Sequence, residues 1–273
     1  MRDINLLKKI IPGHDALLHL ACISNDPSFE LNPSLGKSIN YDAFEPLVKI
    51  SRESKVNRFV FASSSSVYGI KKEKNVTEEM GLQPLTDYSK FKAECEKILK
   101  NYKSNDFIIT TLRPSTVCGY ARRQRLDLVV NILANHAFNN RKIKVFGGNQ
   151  LRPNIHIDDM AEAYLTVLNA SPNKINGEIF NVGFKNQSVN ELAFDVKEVI
   201  GDDIEIIKTK SNDNRSYHVS SKKIEEILGF NTNKTVKKAV SDLKSAFEKG
   251  LLPNSMEDEK YFNIKRMQSI QLS

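Results

Sequence analysis

Arg58-Phe59-Val60-Phe61-Ala62-Ser63-Ser64-Ser65-Ser66-Val67-Tyr68-Gly69, followed by Tyr88-Ser89-Lys90-Phe91-Lys92, is the stretch whose reading decides the fold. Arg58 to Ser63 is a short aromatic and β-branched run that gives way to small hydroxyl residues and a glycine, the pattern of a buried strand entering a turn. After a turn containing Pro84, Tyr88 opens a helical stretch, Ser89 to Tyr102, with Thr86 or Asp87 as its cap. Working outward, Ala16 to Ala21 (ALLHLA) and Phe107 to Leu112 (FIITTL) repeat the strand pattern, and Leu35 to Ser54 is helical between the first two strands. Such alternation predicts βαβ units and a parallel sheet. Pro46 should kink the Leu35 to Ser54 helix or split it in two. Ile4, Leu7 and Ile11 share one face of an N-terminal amphipathic helix.

Beyond Arg113-Pro114 the texture changes. A helix from Leu126 to Phe138 leads to a strand at Ile143 to Phe146 and a Gly147-Gly148 turn. Asp158 or Asp159 caps a helix to Asn169, and the strand Glu178 to Val182 precedes a helix with a Ser188/Glu191 capping box. Lys222 to Leu228 and Val236 to Lys249 read as later helices. The expected organisation is α/β: a partial Rossmann-like domain over residues 1–120, and a smaller α/β lobe over 121–273 that binds substrate and sends segments back to the sheet.

Composition narrows the function classes. With 40% hydrophobic and 27% charged residues the chain reads as globular, and no apolar run is long enough to span a bilayer. Three scattered cysteines, Cys22, Cys95 and Cys118, form neither a disulfide framework nor a metal-ligand set, so a cytoplasmic protein without a metal is expected. The net charge of +7 comes from basic residues interleaved with acids, which argues for a solvated surface over a nucleic-acid interface. Arg122, Arg123 and Arg125 make the tightest basic knot, suited to a diphosphate.

The chemistry centres on Tyr88 and Lys92. Positions four apart share one face of a helix, which sets a phenol beside an ammonium group. A phenol with its usual pKa near 10 is a poor base, but a fixed cation lowers that value. The pair can then exchange a proton with a sugar hydroxyl while hydride moves at the same carbon. Tyr68/Lys72 and Tyr261/Lys265 share the spacing but not the context: one runs into a polar loop and the other lies in the tail. A hydroxyl from the serine cluster, at the carboxyl end of a strand, can hold a substrate oxygen beside the tyrosine. His19, inside an apolar strand, reads as a packed core histidine, and Cys118 as a small apolar filler.

The segments HLACISNDPS, SINYDAF, VNRFVFASSSSVYG, YSKFKAE, LRPSTVCG and RPNIHIDDMAEAY, in that order, resemble successive signatures of the extended short-chain dehydrogenase/reductases, the NAD-dependent epimerases and dehydratases. The resemblance implies NAD or NADP as cofactor and a nucleotide diphosphate sugar as substrate. It makes Ser64, Tyr88 and Lys92 catalytic, with Lys92 also on the nicotinamide ribose. Ala21, Ala62 and Ser63 match positions lining the cofactor. Pro114 and Val117 match the loop near the nicotinamide, and Asn40 matches an asparagine of the helix behind the site. Arg152 and Arg215 match arginines that grip the substrate diphosphate, for which a guanidinium fork is suited. Thr116 stands where epimerases usually carry an asparagine against the substrate, and Arg125 is a further phosphate or sugar contact. Members of the family often pair as homodimers, which suggests pairing through segments 35–54 and 89–102.

Two departures matter. The 4,6-dehydratases carry Asp-Glu directly after the catalytic threonine, where this chain has Ser65-Ser66; that argues for an epimerase, dehydrogenase or reductase. The run RPSTVCGYARRQRLDLVVN looks like a subgroup serving surface polysaccharides. The family's opening strand, GxxGxxG loop and helix, which hold the cofactor pyrophosphate, have no counterpart here. An N-terminally truncated Rossmann unit, with weak cofactor binding and an open edge at Ala16 to Ala21, is therefore expected. A rival reading is a non-catalytic or truncated inactive member, regulatory or RNA-binding; the intact Ser64, Tyr88 and Lys92 set opposes it.

Overall fold

The computed structural model of the chain describes residues 1–210, 216 and 218–272. In chain order its strands are β1 (Ala16–His19), β2 (Arg58–Ala62), β3 (Ile108–Pro114), β4 (Thr116–Cys118), β5 (Lys142–Phe146), β6 (Leu151–His156), β7 (Glu178–Val182), β8 (Lys185–Ser188) and β9 (Glu205–Thr209). The helices are α1 (Ile4–Ile10), α2 (Asp26–Glu30), α3 (Pro33–Lys37), α4 (Phe44–Glu53), α5 (Asp87–Lys100), α6 (Val129–Asn140), α7 (Ile157–Asn169), α8 (Pro172–Ile175), α9 (Val189–Ile200), α10 (Lys222–Leu228), α11 (Val236–Glu248) and α12 (Asn263–Ser269).

The main sheet has the order β1-β2-β3-β7, all parallel, with Phe59 opposite Leu17 and Ile109. Its strands read as nearly continuous apolar runs because helices cover both faces. Alternate residues divide between those faces. Phe59, Phe61 and Ile109 pack against Leu7 of α1, Phe44, Leu47 and Val48 of α4 and Leu99 of α5. Val60, Ile108 and Leu112 pack against Met160, Ala163 and Val167 of α7 and Ile224 of α10. Each such fully buried side chain contributes about 1.5–3 kcal/mol. A second core lies where α6, α9 and α11 enclose Ile143 and Val145 of β5, which pairs in parallel with β9. A small mixed sheet, β4-β6-β8, adjoins the site.

Three local outcomes differ from the sequence expectations. β1 stops at His19, two residues early, though it lies at the edge of the sheet as expected. The Leu35 to Ser54 helix is divided, but the break is a π turn over Ser38–Asp42, upstream of Pro46. Pro46 falls in the first turn of α4, where a missing N–H costs least. The π turn also aims Asn40 inward, where its carboxamide both accepts from the Ile23 N–H and donates to the Ile23 carbonyl, at 2.9 Å each. Neither Asp158 nor Asp159 caps α7. His156 does, its Nδ1 accepting the Asp158 N–H at 3.1 Å, while Asp159 accepts the N–H groups of Asn233 and Lys234. No helix of the described residues is long and apolar enough to cross a membrane.

Candidate active site

β2 delivers its last residues to a turn rather than to a helix. Ser64 stands in extended backbone and caps the 3₁₀ turn Ser65–Tyr68, its hydroxyl accepting the Ser66 N–H at 3.1 Å and pairing with the Ser66 hydroxyl at 2.9 Å. Gly69 ends the turn at φ +66, where a β-carbon would meet the Gln83 carbonyl; only glycine fits there. α5 approaches from the side. Thr86 caps it in a capping box with Ser89, and the Thr86 hydroxyl donates to Asp26 at 2.5 Å, which joins the start of α2 to the start of α5.

Tyr88, Lys92 and Glu96 then follow one another along a single face of α5. Lys92 is buried, and its ammonium donates to the carbonyl of Ala62, the last residue of β2, at 2.6 Å. It also sits over the Phe61 and Tyr88 rings, 4.9 and 5.9 Å from their centroids. One turn on, Glu96 accepts from the Ser63 hydroxyl at 2.5 Å and receives a two-pronged bond from Arg113 of β3, at 3.0 and 2.6 Å. Arg113 also donates to the Tyr68 hydroxyl, which donates in turn to Asn181 of β7. α5 is thus fastened to three neighbouring strands by groups that are nearly all buried. Tyr68, the phenol of the rejected Tyr68/Lys72 pair, belongs to this scaffold; burial pushes it up to about 12.

Ser64, Tyr88 and Lys92 converge on a cavity of about 350 Å³ at the carboxyl end of the sheet. Ala62, Ser63, Pro114, Thr116, Val117, Arg125 and Arg152 line it as well. Asn40 is placed outside it, holding the Ile23 backbone, and Ala21 is exposed while its neighbours Leu20 and Cys22 face the cavity. Arg215 lies outside the described residues. Among the lining residues that carried no expectation, Cys22, Ser24, Asn25 and Asp26 come from one short run. Their signal was the run Ser24-Asn25-Asp26-Pro27, a cap-and-proline helix start directly after a strand. Asn25 caps α2 from φ 72 and ψ 156, a positive-φ extended conformation that side chains seldom adopt, so the backbone is strained at the cavity wall.

The electrostatics of Tyr88 run against the expected lowering. Burial pushes its phenol well above the ordinary range, aided by Cys22 and Asp26, while the Ser64 hydroxyl and Arg125 pull the other way. Lys92 directs an N–H at the Ala62 carbonyl and lies over the ring faces, and at the Tyr88 hydroxyl desolvation by burial dominates. His19 behaves as a core residue, stacked on Phe61 and held by burial at about 3. Cys118 is a buried filler, its thiol pushed up to about 12 by burial. Among the described residues no cluster of side chains could hold a metal ion.

Residues 1–183, which contain the serine turn and the Tyr–Lys helix, match the model of the NAD dependent epimerase/dehydratase family. The chain belongs to this family. Among its relatives, an uncharacterized UDP-glucose epimerase of Bacillus subtilis is 35% identical over 65% of the chain, which spans 55% of that protein, only about half its length. The UDP-glucose 4-epimerase of Lactobacillus helveticus is 26% identical over 84% of the chain and 76% of its own length. Human dTDP-D-glucose 4,6-dehydratase is 30% identical over 59% of the chain and 46% of its own length. The crystal structure of the UDP-glucose 4-epimerase of Thermotoga maritima with UDP-glucose superposes with a TM-score of 0.83 at 23% identity, covering 92% of this chain and 83% of that one. That likeness shows the fold, a Rossmann-like parallel α/β sheet.

Proposed function

We propose that the cavity takes the sugar of a nucleotide diphosphate sugar and that the protein reversibly oxidises it at C4. The observation that carries this reading is the convergence of Ser64, Tyr88 and Lys92 on one cavity whose wall also holds Arg125 and Arg152. Two guanidinium groups beside a hydroxyl-rich pocket suit a diphosphate joined to a sugar. Tyr88 exchanges the proton of the sugar hydroxyl, Ser64 holds the oxygen from the side, and Lys92 fixes the end of β2 so that the two stay in reach.

NAD or NADP fits the remaining wall. Ala62, Ser63, Pro114 and Val117 offer small and apolar surface, and Lys92 has spent only one of its three N–H donors, leaving others for ribose hydroxyls. When bound, the cofactor supplies a hydride acceptor. The raised phenol makes Tyr88 a proton donor in the free protein, the form needed for returning hydride to a keto-sugar.

Dehydration is disfavoured, because Ser65 and Ser66 bring hydroxyls where a carboxyl pair would be required, and the Ser66 hydroxyl is engaged with Ser64. Epimerisation, dehydrogenation or keto reduction all use the same three residues. We assign the product to surface-polysaccharide synthesis on the resemblance of the 113–131 run. The test is to incubate the protein with NAD and with UDP-glucose, UDP-galactose or dTDP-glucose, following the reduced-nicotinamide absorbance and the C4 configuration by NMR. Turnover abolished by Tyr88→Phe supports the reading; turnover that survives it sinks the reading.

A further inference from the structure

One side of the cavity is backed from outside by the segment Tyr261 to Met267. Arg125 reaches into the cavity wall with its Nε on Asp127 at 2.9 Å and its Nη1 on the Ser24 hydroxyl at 3.1 Å. Its Nη2 is buried with no hydrogen-bond partner. A guanidinium has five N–H donors, and leaving buried ones unsatisfied is costly, so this nitrogen is prepared for an acceptor that arrives with a ligand.

Both groups that aim Arg125 are themselves held by one residue, Asn263. Its backbone N–H donates to the other oxygen of Asp127 at 2.9 Å, and its Nδ2 donates to the same Ser24 hydroxyl at 3.2 Å. Its Oδ1 accepts from Arg123 at 3.0 Å. The grip is reinforced on either side, since the Tyr261 carbonyl accepts the Leu126 N–H at 2.9 Å, and Met267 of α12 packs onto the cluster of Ile23, Phe29 and Leu35 that also touches Tyr88. The segment therefore joins the loop after β1 to the loop before α6, two pieces of chain that supply opposite parts of the site. Positive charge predominates here: burial and the charges of Arg125 and Arg266 hold Arg123 below its usual range.

We propose that Asn263 is a positioning residue for ligand binding: by its side chain through Ser24, and by its backbone through Asp127, it fixes Arg125 in the cavity wall with one guanidinium nitrogen unpaired for a diphosphate oxygen. This deepens the nucleotide-sugar reading and rests on it. Affinity for the diphosphate, rather than the proton transfer at Tyr88, is what the C-terminal segment controls.

The test is calorimetric titration of the full chain with UDP and with dTDP, comparing Asn263→Ala, Arg125→Ala, the double variant and Ser269→Ala, with thermal melts to confirm folding. Asn263→Ala keeps the backbone N–H on Asp127 and removes the Ser24 contact, and should weaken binding by about five- to tenfold, the scale of one hydrogen bond's worth of orientation. In the Arg125→Ala background it should add nothing, because the residue acts only through that guanidinium. Ser269→Ala, which alters α12 away from the cluster, should bind as the parent does. If Asn263→Ala loses its fold, Ser24→Ala interrogates the same coupling from the other side, with Ser24→Thr restoring the hydroxyl. Unchanged affinity in Asn263→Ala, or a loss that persists in the Arg125→Ala background, overturns the inference. A parent protein that binds neither UDP nor dTDP instead overturns the nucleotide-sugar reading beneath it.

Discussion

Acid should unfold this protein partly through one histidine. His19 ends β1 with its ring 5.5, 6.3 and 5.8 Å from the centroids of Phe44, Phe59 and Phe61. Burial, then the charge of Lys92, then the N-terminal amine hold its pKa at about 3 against the ordinary 6.5. The folded state therefore binds this proton less readily than the unfolded chain. Its neutral form is free of penalty above the unfolded value, and stability is lost as the pH falls from 6.5 towards 3. At a pH of about 5 the linkage amounts to about 2 kcal/mol, a sizeable part of a typical domain's stability. His19→Leu keeps an apolar filler and removes the proton. Urea unfolding followed by circular dichroism at about pH 7 and about pH 5 should show the parent losing about 2 kcal/mol more than His19→Leu over that interval. Parallel losses in the two proteins would refute the reasoning.

The Arg113–Glu96 pair, with side chains only 3% and 5% exposed, makes a second case. Arg113→Met alone should cost about 3–5 kcal/mol by stranding Glu96, while Arg113→Met with Glu96→Leu should recover most of that; urea titration of the three proteins decides, and equal damage in single and double variants would contradict it. In the free protein the Tyr88 phenol should remain protonated well past neutrality, since burial raises it. Ultraviolet difference titration of the parent against Tyr88→Phe should show no phenolate step below a pH of about 9; a step near neutrality that vanishes in the variant would contradict it.

What was legible in the sequence is what short-range physics dictates. The apolar runs at Phe59–Phe61 and Ile108–Leu112 announce a sheet covered on both faces, and Thr86 with Ser89 and Ser188 with Glu191 announce helix starts. The Tyr88/Lys92 spacing places both on one helical face, and the serine turn was found because it ends a strand. Long-range partnerships were not legible. Nothing local in Asn40 says that it will clamp the Ile23 backbone, nor in Asn263 that it will meet Ser24, 239 positions away. The direction of the Tyr88 shift was missed for a related reason: a neighbouring lysine can be read from spacing, but dehydration and the carbonyl that engages Lys92 depend on the assembled site. β4 and β8 escaped because Thr116–Cys118 is too short, and Lys185–Ser188 too polar, to show a period.

What most needs testing is that Tyr88 moves the proton of a hydroxyl on a nucleotide-linked sugar while hydride moves at its carbon. The most direct measurement is the turnover of UDP-glucose, UDP-galactose and dTDP-glucose with NAD by the parent and by Tyr88→Phe, read as reduced-nicotinamide absorbance and as C4 inversion. The account predicts turnover by the parent on at least one of them and a loss of about 10²–10⁴-fold in the variant, with UDP or dTDP binding unchanged. Equal rates in the two proteins, or a parent that binds these sugars and turns none of them over, would contradict it.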